Sequence, residues 1–233
     1  MTAAHYGIGA YTIPEAARLI GMTASRLRRW LYGYDYDGGH DGGGGTQPPL
    51  WHPQYDVEAD GQLLGFRDLV EARIVAGLTK AHFGLPTIRA CINAARDLLG
   101  DERPFSTRAF KTDGRRLFLD ITDGVQDPAM YDLKARQRVF RDVVMPSLSD
   151  LDFGSDAAER WWLVPGKRTI VADPERSFGQ PIVAASGLLT ARVVQELKAE
   201  GSVERVAKLY DLPVRAIRDA LRFESDLQLR KAA

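Results

Sequence analysis

The sequence predicts a mainly α fold with small β elements (α+β), with a helix–turn–helix unit near each end and a small central α/β unit between them. Three observations carry this expectation. Residues 12–32 read as two short capped helices, a glycine-rich break leads into mixed strand-like and helical stretches, and the region after residue 190 reads as three helices punctuated by Gly201 and Pro213. The expected divisions fall at 1–100, 101–175 and 176–233.

Taken in order, Thr12 opens the first helix. The pattern T-x-x-E lets its hydroxyl cap the Glu15 amide while Glu15 answers back, and Pro14 suits a first turn. Gly21 breaks this helix after about Ile20, and Thr23 caps a second that reaches about Tyr32, before Gly33. From Gly33 to Pro49 the chain is too glycine-rich and too poor in apolar residues to fold by itself, so it reads as a flexible loop. Asp60-Gly61 then predicts a hairpin with strands near Tyr55 to Val57 and Leu63 to Phe66. Asp68 and Glu71 form D-x-x-E and predict a helix through about His82, and Gly84-Leu85-Pro86 resets the chain for another over Pro86 to Leu99.

In the middle, Asp113-Gly114 separates two strand-like runs, Thr107 to Lys111 and Arg116 to Ile121. A helix from about Met130 to Val144 follows, then a strand pair around Pro165-Gly166. Asp150, Asp152 and Asp156 read as a solvated acidic loop, because no histidine joins them to make a catalytic group. Of Trp161 and Trp162, adjacent on a strand, one should face outward, and at least one should pack in the core or on the sheet. The C-terminal helices are expected from Thr190 to about Glu200, from Ser202 to about Tyr210, and from Pro213 to about Glu224.

With 45% hydrophobic and 27% charged residues in 233, the chain has the composition of a soluble globular protein. No apolar run approaches the length of a membrane span and the first residues lack a signal pattern, so a cytoplasmic protein without a membrane partner is expected. Cys91 is the sole cysteine, which excludes an internal disulfide and a cysteine-based zinc site; its apolar neighbours predict a buried thiol. The four histidines lack ligand spacing, Gly7-Ile8-Gly9 follows no strand, and the glycine run near His40 reads as linker, so no metal or cofactor is expected. No nucleophile–base pair or phosphate loop argues for a catalytic residue or an enzyme.

Thirty-one basic and thirty-one acidic side chains cancel, so any affinity for nucleic acid must be local. The residues from Thr23 to Leu31 hold three arginines and no acid. At 100° per residue, Ser25, Arg28, Arg29 and Tyr32 share one arc, opposite Ala24, Leu27 and Leu31. A guanidinium aimed outward can bond phosphates or read guanine edges. Shifted by 190 residues, "ARLIGMTASRLRRWL" (17–31) lies over "AKLYDLPVRAIRDAL" (207–221), pairing Ala17 with Ala207, Leu19 with Leu209, Met22 with Leu212, Leu27 with Ile217 and Leu31 with Leu221. In this second copy Asp219 falls on the arc of Arg215, Arg218 and Arg222, which makes that face the weaker DNA candidate and the better one for a protein partner.

The order helix–turn–helix, loop, hairpin and then "LLGFRDLVEARIVAGLTKAHFGLPTIRACI" is similar to the winged DNA-binding domain of MerR-family regulators. That likeness implies a recognition helix at Thr23 to Leu31, a wing at about Leu50 to Phe66, and DNA contacts from Thr23, Ser25, Arg26, Arg28, Arg29 and Tyr32, with Arg67. The insert at 37–45 and the lack of a long dimerising helix or effector-binding cysteine cluster depart from that family. The stretch from Ile170 to Glu224, with its D-P-x-x-S-F-G-x-P-x-V lead-in and E-G-S-V-E-x-V-A turn, resembles the three-helix domain of unknown function found in many bacterial antitoxins. Together the two resemblances imply a VapB-like type II antitoxin that binds operator DNA as a homodimer and neutralises a PIN-like ribonuclease toxin. Such a nuclease has an acidic metal site, which Arg230 and Lys231, or the Arg215, Arg218 and Arg222 face, would occlude. The alternatives are a MerR-like transcription regulator answering a small-molecule effector in the central unit, and a scaffold that binds protein through both helical ends.

Overall fold

The computed structural model describes residues 7–37, 44–123 and 137–232. It is mainly helical, with small antiparallel sheets. Strand β1 (Tyr11–Thr12) runs directly into α1 (Ile13–Ile20), whose start is the expected reciprocal cap: Thr12 Oγ1 accepts from Glu15 N at 3.4 Å and Thr12 N donates to Glu15 Oε2 at 2.9 Å. Gly21 takes a left-handed φ of 77° and closes α1. Thr23 then caps α2 (Ala24–Tyr32) by accepting from Arg26 N.

Beyond α2 the sequence expectation changes. The segment expected to be a loop supplies a hairpin, β2 (Tyr34–Tyr36) paired with β3 (Gly45–Gln47), although residues 38–43 lie outside the described residues. Gly33 permits this return: it has a φ of 72°, and a side chain there would strike the Gln47 carbonyl. The expected wing at Leu50 to Phe66 is not a hairpin. Asp56 instead caps a short helix, α3 (Val57–Asp60), by accepting from Glu58 N, and Gly61 ends it. Strand β4 (Leu63–Leu64) pairs with β1. The Asp-Gly pair is thus a helix terminus and not a turn between strands.

Helix α4 (Phe66–Lys80) starts two residues before Asp68, which accepts from Gly65 N at 3.0 Å. Helix α5 (Leu85–Leu99) follows and ends at Gly100, with Cys91 buried as expected. The two strands expected around Asp113-Gly114 are one helix, α6 (Arg108–Asp123), bent at Asp113. Thr107 Oγ1 accepts from Phe110 N to start it. The buried positions Phe110, Gly114, Phe118 and Ile121 follow helical spacing, which overrides the local strand-like run Leu117-Phe118-Leu119. Gly114 is small because the Phe140 ring packs against it. The start of the helix expected from Met130 lies outside the described residues; its later part is a π-helical turn, Phe140–Val144, leading into α7 (Met145–Ser149).

The expected strand pair is the centre of a four-stranded antiparallel sheet, β5 (Leu151–Phe153), β6 (Ala158–Trp162), β7 (Ile170–Ala172) and β8 (Ile182–Val183), in that order. The acidic cluster is not a free loop: Asp150 lies 3.7 Å from Arg73, and Asp152 in β5 accepts from Trp162 Nε1 and pairs with Arg168. Trp161 is buried beneath Arg73, while Trp162 is half-buried beneath Arg168. The chain closes with α8 (Thr190–Glu200), α9 (Val203–Leu209) and α10 (Val214–Ala232). Thr190 is not a cap; its buried hydroxyl bonds the Pro181 carbonyl and the Glu224 carboxylate.

One continuous apolar cluster runs from Tyr11 to Leu227, so the segments 1–100, 101–175 and 176–233 share a core. Tyr11 Oη donates to the Gly179 carbonyl at 2.8 Å, Ala10 N to Phe178 O, and Arg230 Nη1 to Leu19 O at 3.1 Å. Buried charges brace the first half. Asp68 accepts from Arg103 Nε at 2.6 Å, from Gln54 N at 2.7 Å and from Trp51 Nε1 at 3.2 Å. Next to it, burial pushes the Glu71 carboxyl up to about 8 despite hydrogen bonding from Ser106 N.

Candidate nucleic-acid interface

Helix α2 follows the expected arc at Ser25, Arg28, Arg29, Leu27 and Leu31 but not at Tyr32. Leu27, Trp30 and Leu31 are buried, whereas Thr23, Ser25, Arg26, Arg28 and Arg29 are exposed. Trp30 is a core residue outside the expected apolar arc. Among the described residues no carboxylate bonds Arg26, Arg28 or Arg29, and the Arg29 guanidinium lies over the Tyr34 ring, 5.1 Å from its centroid. Tyr32 is half-buried: its hydroxyl donates to the Leu63 carbonyl, and burial, reinforced by Asp68, raises it above the ordinary tyrosine range. It therefore supports the face from behind.

The β2–β3 hairpin leaves the C-terminal end of α2 and stands beside this face. Its described tip is aromatic and acidic, with exposed Tyr36, Asp35 and Asp37; Asp35 accepts from Thr46 Oγ1 at 2.6 Å. Arg89 of α5 fixes the hairpin's base by donating to the Pro48 and Pro49 carbonyls. A shallow cleft along α2 is lined by Ser25, Arg26, Arg29 and Tyr34, and also by Thr79 and Leu85 from the α4–α5 corner. Those last two were invisible to local pattern, since only tertiary packing brings them there.

Two expected site residues are employed elsewhere. Arg67 does not extend the α2 face: its guanidinium donates to Asp101 at 2.7 Å, to Ser106 Oγ at 2.8 Å and to the Arg103 carbonyl at 2.9 Å. Arg230 is not a loose basic tail, because it caps the C-terminal carbonyl of Leu19 on α1. The side chain of Lys231 lies outside the described residues.

In the second hairpin, α9–α10, Arg215, Arg218 and Arg222 are exposed, with Arg218 3.2 Å from the equally exposed Glu204. Asp219 departs from the expectation that it lies among them. It is 9% exposed and faces the sheet, accepting from Lys167 Nζ at 2.6 Å and Thr169 Oγ1 at 3.0 Å. Burial raises its carboxyl, but these two hydrogen bonds and the nearby cations outweigh that and hold it below the usual carboxylate range. Leu209 departs too: its counterpart Leu19 is 6% exposed, yet Leu209 is 57% exposed.

Comparison with known proteins adds a family, a relative and a fold. Residues 170–223, from β7 into α10, match the family described as "Protein of unknown function (DUF433)". The chain is 24% identical over 226 residues to the Mycobacterium tuberculosis protein named "Putative antitoxin VapB45", covering 93% of this chain and 94% of that one. It also matches the crystal structure of Rv2018 from the same organism, with a TM-score of 0.69 and 23% identity over 91% of this chain and 96% of the other. That likeness extends the fold over nearly the whole length of both chains. Among the described residues, no helix is long and apolar enough to cross a membrane, and no group of three or more His, Cys, Asp or Glu side chains is placed to hold a metal ion.

Proposed function

We propose that this protein is the antitoxin of a type II toxin–antitoxin pair, that it reads its operator with α2, and that the β2–β3 hairpin acts as the wing. The observation that carries the DNA reading is the acid-free face of α2, on which Arg26, Arg28 and Arg29 stand exposed in a chain of zero net charge. Leu27 and Leu31 hold that helix against the core, so the guanidinium groups meet DNA on a rigid support. Arginine forks suit phosphate oxygens and guanine edges alike. Two copies in a homodimer would address half-sites roughly 34 Å apart, one helical turn. The antitoxin reading rests on the similarity to the antitoxin-named relative. The partner would be a PIN-like ribonuclease whose inhibition and operon repression are linked through the same chain.

The test is a gel-shift titration over a salt series with the duplex upstream of the reading frame. Arg28→Ala/Arg29→Ala should weaken binding roughly 10- to 100-fold. It should also lower the slope of log affinity against log salt by about two, one unit per phosphate contact removed. Unchanged affinity and slope would sink the role given to α2. Co-expression with a PIN-like ribonuclease encoded beside this reading frame, where one is found, should yield an RNase-inactive complex; no complex, together with a small molecule that shifts operator affinity, would favour the effector-responsive regulator instead.

A further inference from the structure

The two hairpins agree at the level of single hydrogen bonds. Gly21 has a φ of 77° and Met22 N donates to Ala17 O at 3.0 Å; 190 residues later Asp211 has a φ of 49° and Leu212 N donates to Ala207 O at 2.8 Å. Leu27 and Ile217 are both fully buried at the matching position of the second helix. The exposed Ser25 and Arg28 and the half-buried Tyr32 correspond to the exposed Arg215, Arg218 and Arg222. Spaced i, i+3 and i+7, these three arginines form one stripe about 10 Å long, a length over which duplex DNA presents several phosphates.

The sequence objection to this face was Asp219, and the structure removes it. Lys167 and Thr169 turn that carboxylate toward the sheet, and the Lys167 ammonium neutralises it there. Arg205 and Lys208 on α9 are also exposed, so from Val203 to Arg222 the hairpin's surface carries five cations against Glu204 and Asp211, and the exposed Asp226 bounds the stripe one turn beyond Arg222. The Arg218–Glu204 pair is solvent-exposed on both sides and is readily exchanged for a phosphate.

We propose that α9–α10 is a second DNA-binding head, laying the Arg215–Arg222 stripe along the phosphate backbone so that one chain grips two segments of duplex. The inference deepens the DNA reading of α2 and is separable from it. Salt titrations and footprints on the upstream duplex would compare the full chain with Arg215→Ala/Arg222→Ala, Arg215→Lys/Arg222→Lys and Arg28→Ala/Arg29→Ala. The first variant should bind at least about tenfold more weakly, lose about two units of salt slope and protect a shorter stretch, while the lysine pair keeps its slope. Arg215→Glu, a single exposed reversal, should weaken binding too and guards against a folding defect in the double variant. An unchanged slope and footprint in the alanine pair overturns the second head and leaves α2 standing. Intact DNA binding with lost ribonuclease capture also overturns it and assigns the face to the toxin. Loss confined to the Arg215 and Arg222 variants would instead retain this head and refute α2, and no salt-dependent binding by the wild type would refute both.

Discussion

In the N-terminal hairpin, position 29 is an arginine lying over the Tyr34 ring; in the C-terminal hairpin the matching position is Asp219, drawn inward by Lys167 and Thr169. The backbone turn is shared, yet the second helix is anchored differently in each. Helix α2 is held through Leu27, Trp30 and Leu31, which leaves its cations turned outward. Helix α10 adds a polar latch to the strand side and spends an acid on it. A repeated hairpin can therefore keep its geometry while the residue that decides its surface charge moves from the exterior to the interior.

The strongest challenge to this comparison comes from the buried acids that brace each region. Asp68 is fully buried with four donors around it, so Asp68→Ala strands Arg103 and should cost about 3–5 kcal/mol in urea unfolding. Asp219→Ala removes two hydrogen bonds whose lysine partner is half-exposed, and should cost about 1–2 kcal/mol. Equal losses would show that the C-terminal latch is as deep as the N-terminal brace. Where the copies diverge in burial, Leu19→Ala should cost about 2–3 kcal/mol and Leu209→Ala less than about 0.5 kcal/mol. A large loss at Leu209 would mean that another surface covers it.

A subtler difference is titratable. Glu71 braces the N-terminal side and stays protonated in the fold up to about pH 8, whereas in the unfolded chain it ionises near its ordinary 4.5. Between those values the native state binds one more proton, so this group favours folding below about pH 4.5 and its contribution falls by about 1.4 kcal/mol per unit as pH rises toward 8. Stability measured at pH 6 and 8 should therefore fall more in the wild type than in Glu71→Gln; matching falls would place Glu71 in a wetter site than the structure gives it.

What local chemistry controls was legible in the sequence. Thr12, Thr23 and Ser202 cap helices with the hydrogen bonds their spacing implies, and Gly21 and Gly201 end them in left-handed conformations. The α6 region misled because Asp113-Gly114 beside the apolar run Leu117-Phe118-Leu119 imitates a hairpin, while the deciding contact, Phe140 against Gly114, lies far along the chain. The β2–β3 hairpin misled for the opposite reason: Tyr34–Tyr36 and Gly45–Gln47 have no apolar face to announce a strand, and their pairing depends on Gly33 yielding to Gln47. Exposure along α2 followed from helical geometry, but the fates of Arg67, Arg230 and Asp219 were set by partners 34 to 211 residues away. No window of sequence contains such partners.

The bonds from Tyr11 to Gly179 and from Arg230 to Leu19 have a temporal consequence. They span 168 and 211 residues, so the N-terminal hairpin emerges from the ribosome long before its last supports exist. Such long-range closure slows folding, because the chain entropy of the loop is lost before the contacts that reward it form. During synthesis the nascent chain carries its first hairpin unsupported, and a polypeptide cut anywhere before residue 179 lacks the carbonyl that receives Tyr11. The N-terminal hairpin thus gains its last supports only after residues 179 and 230 have been made.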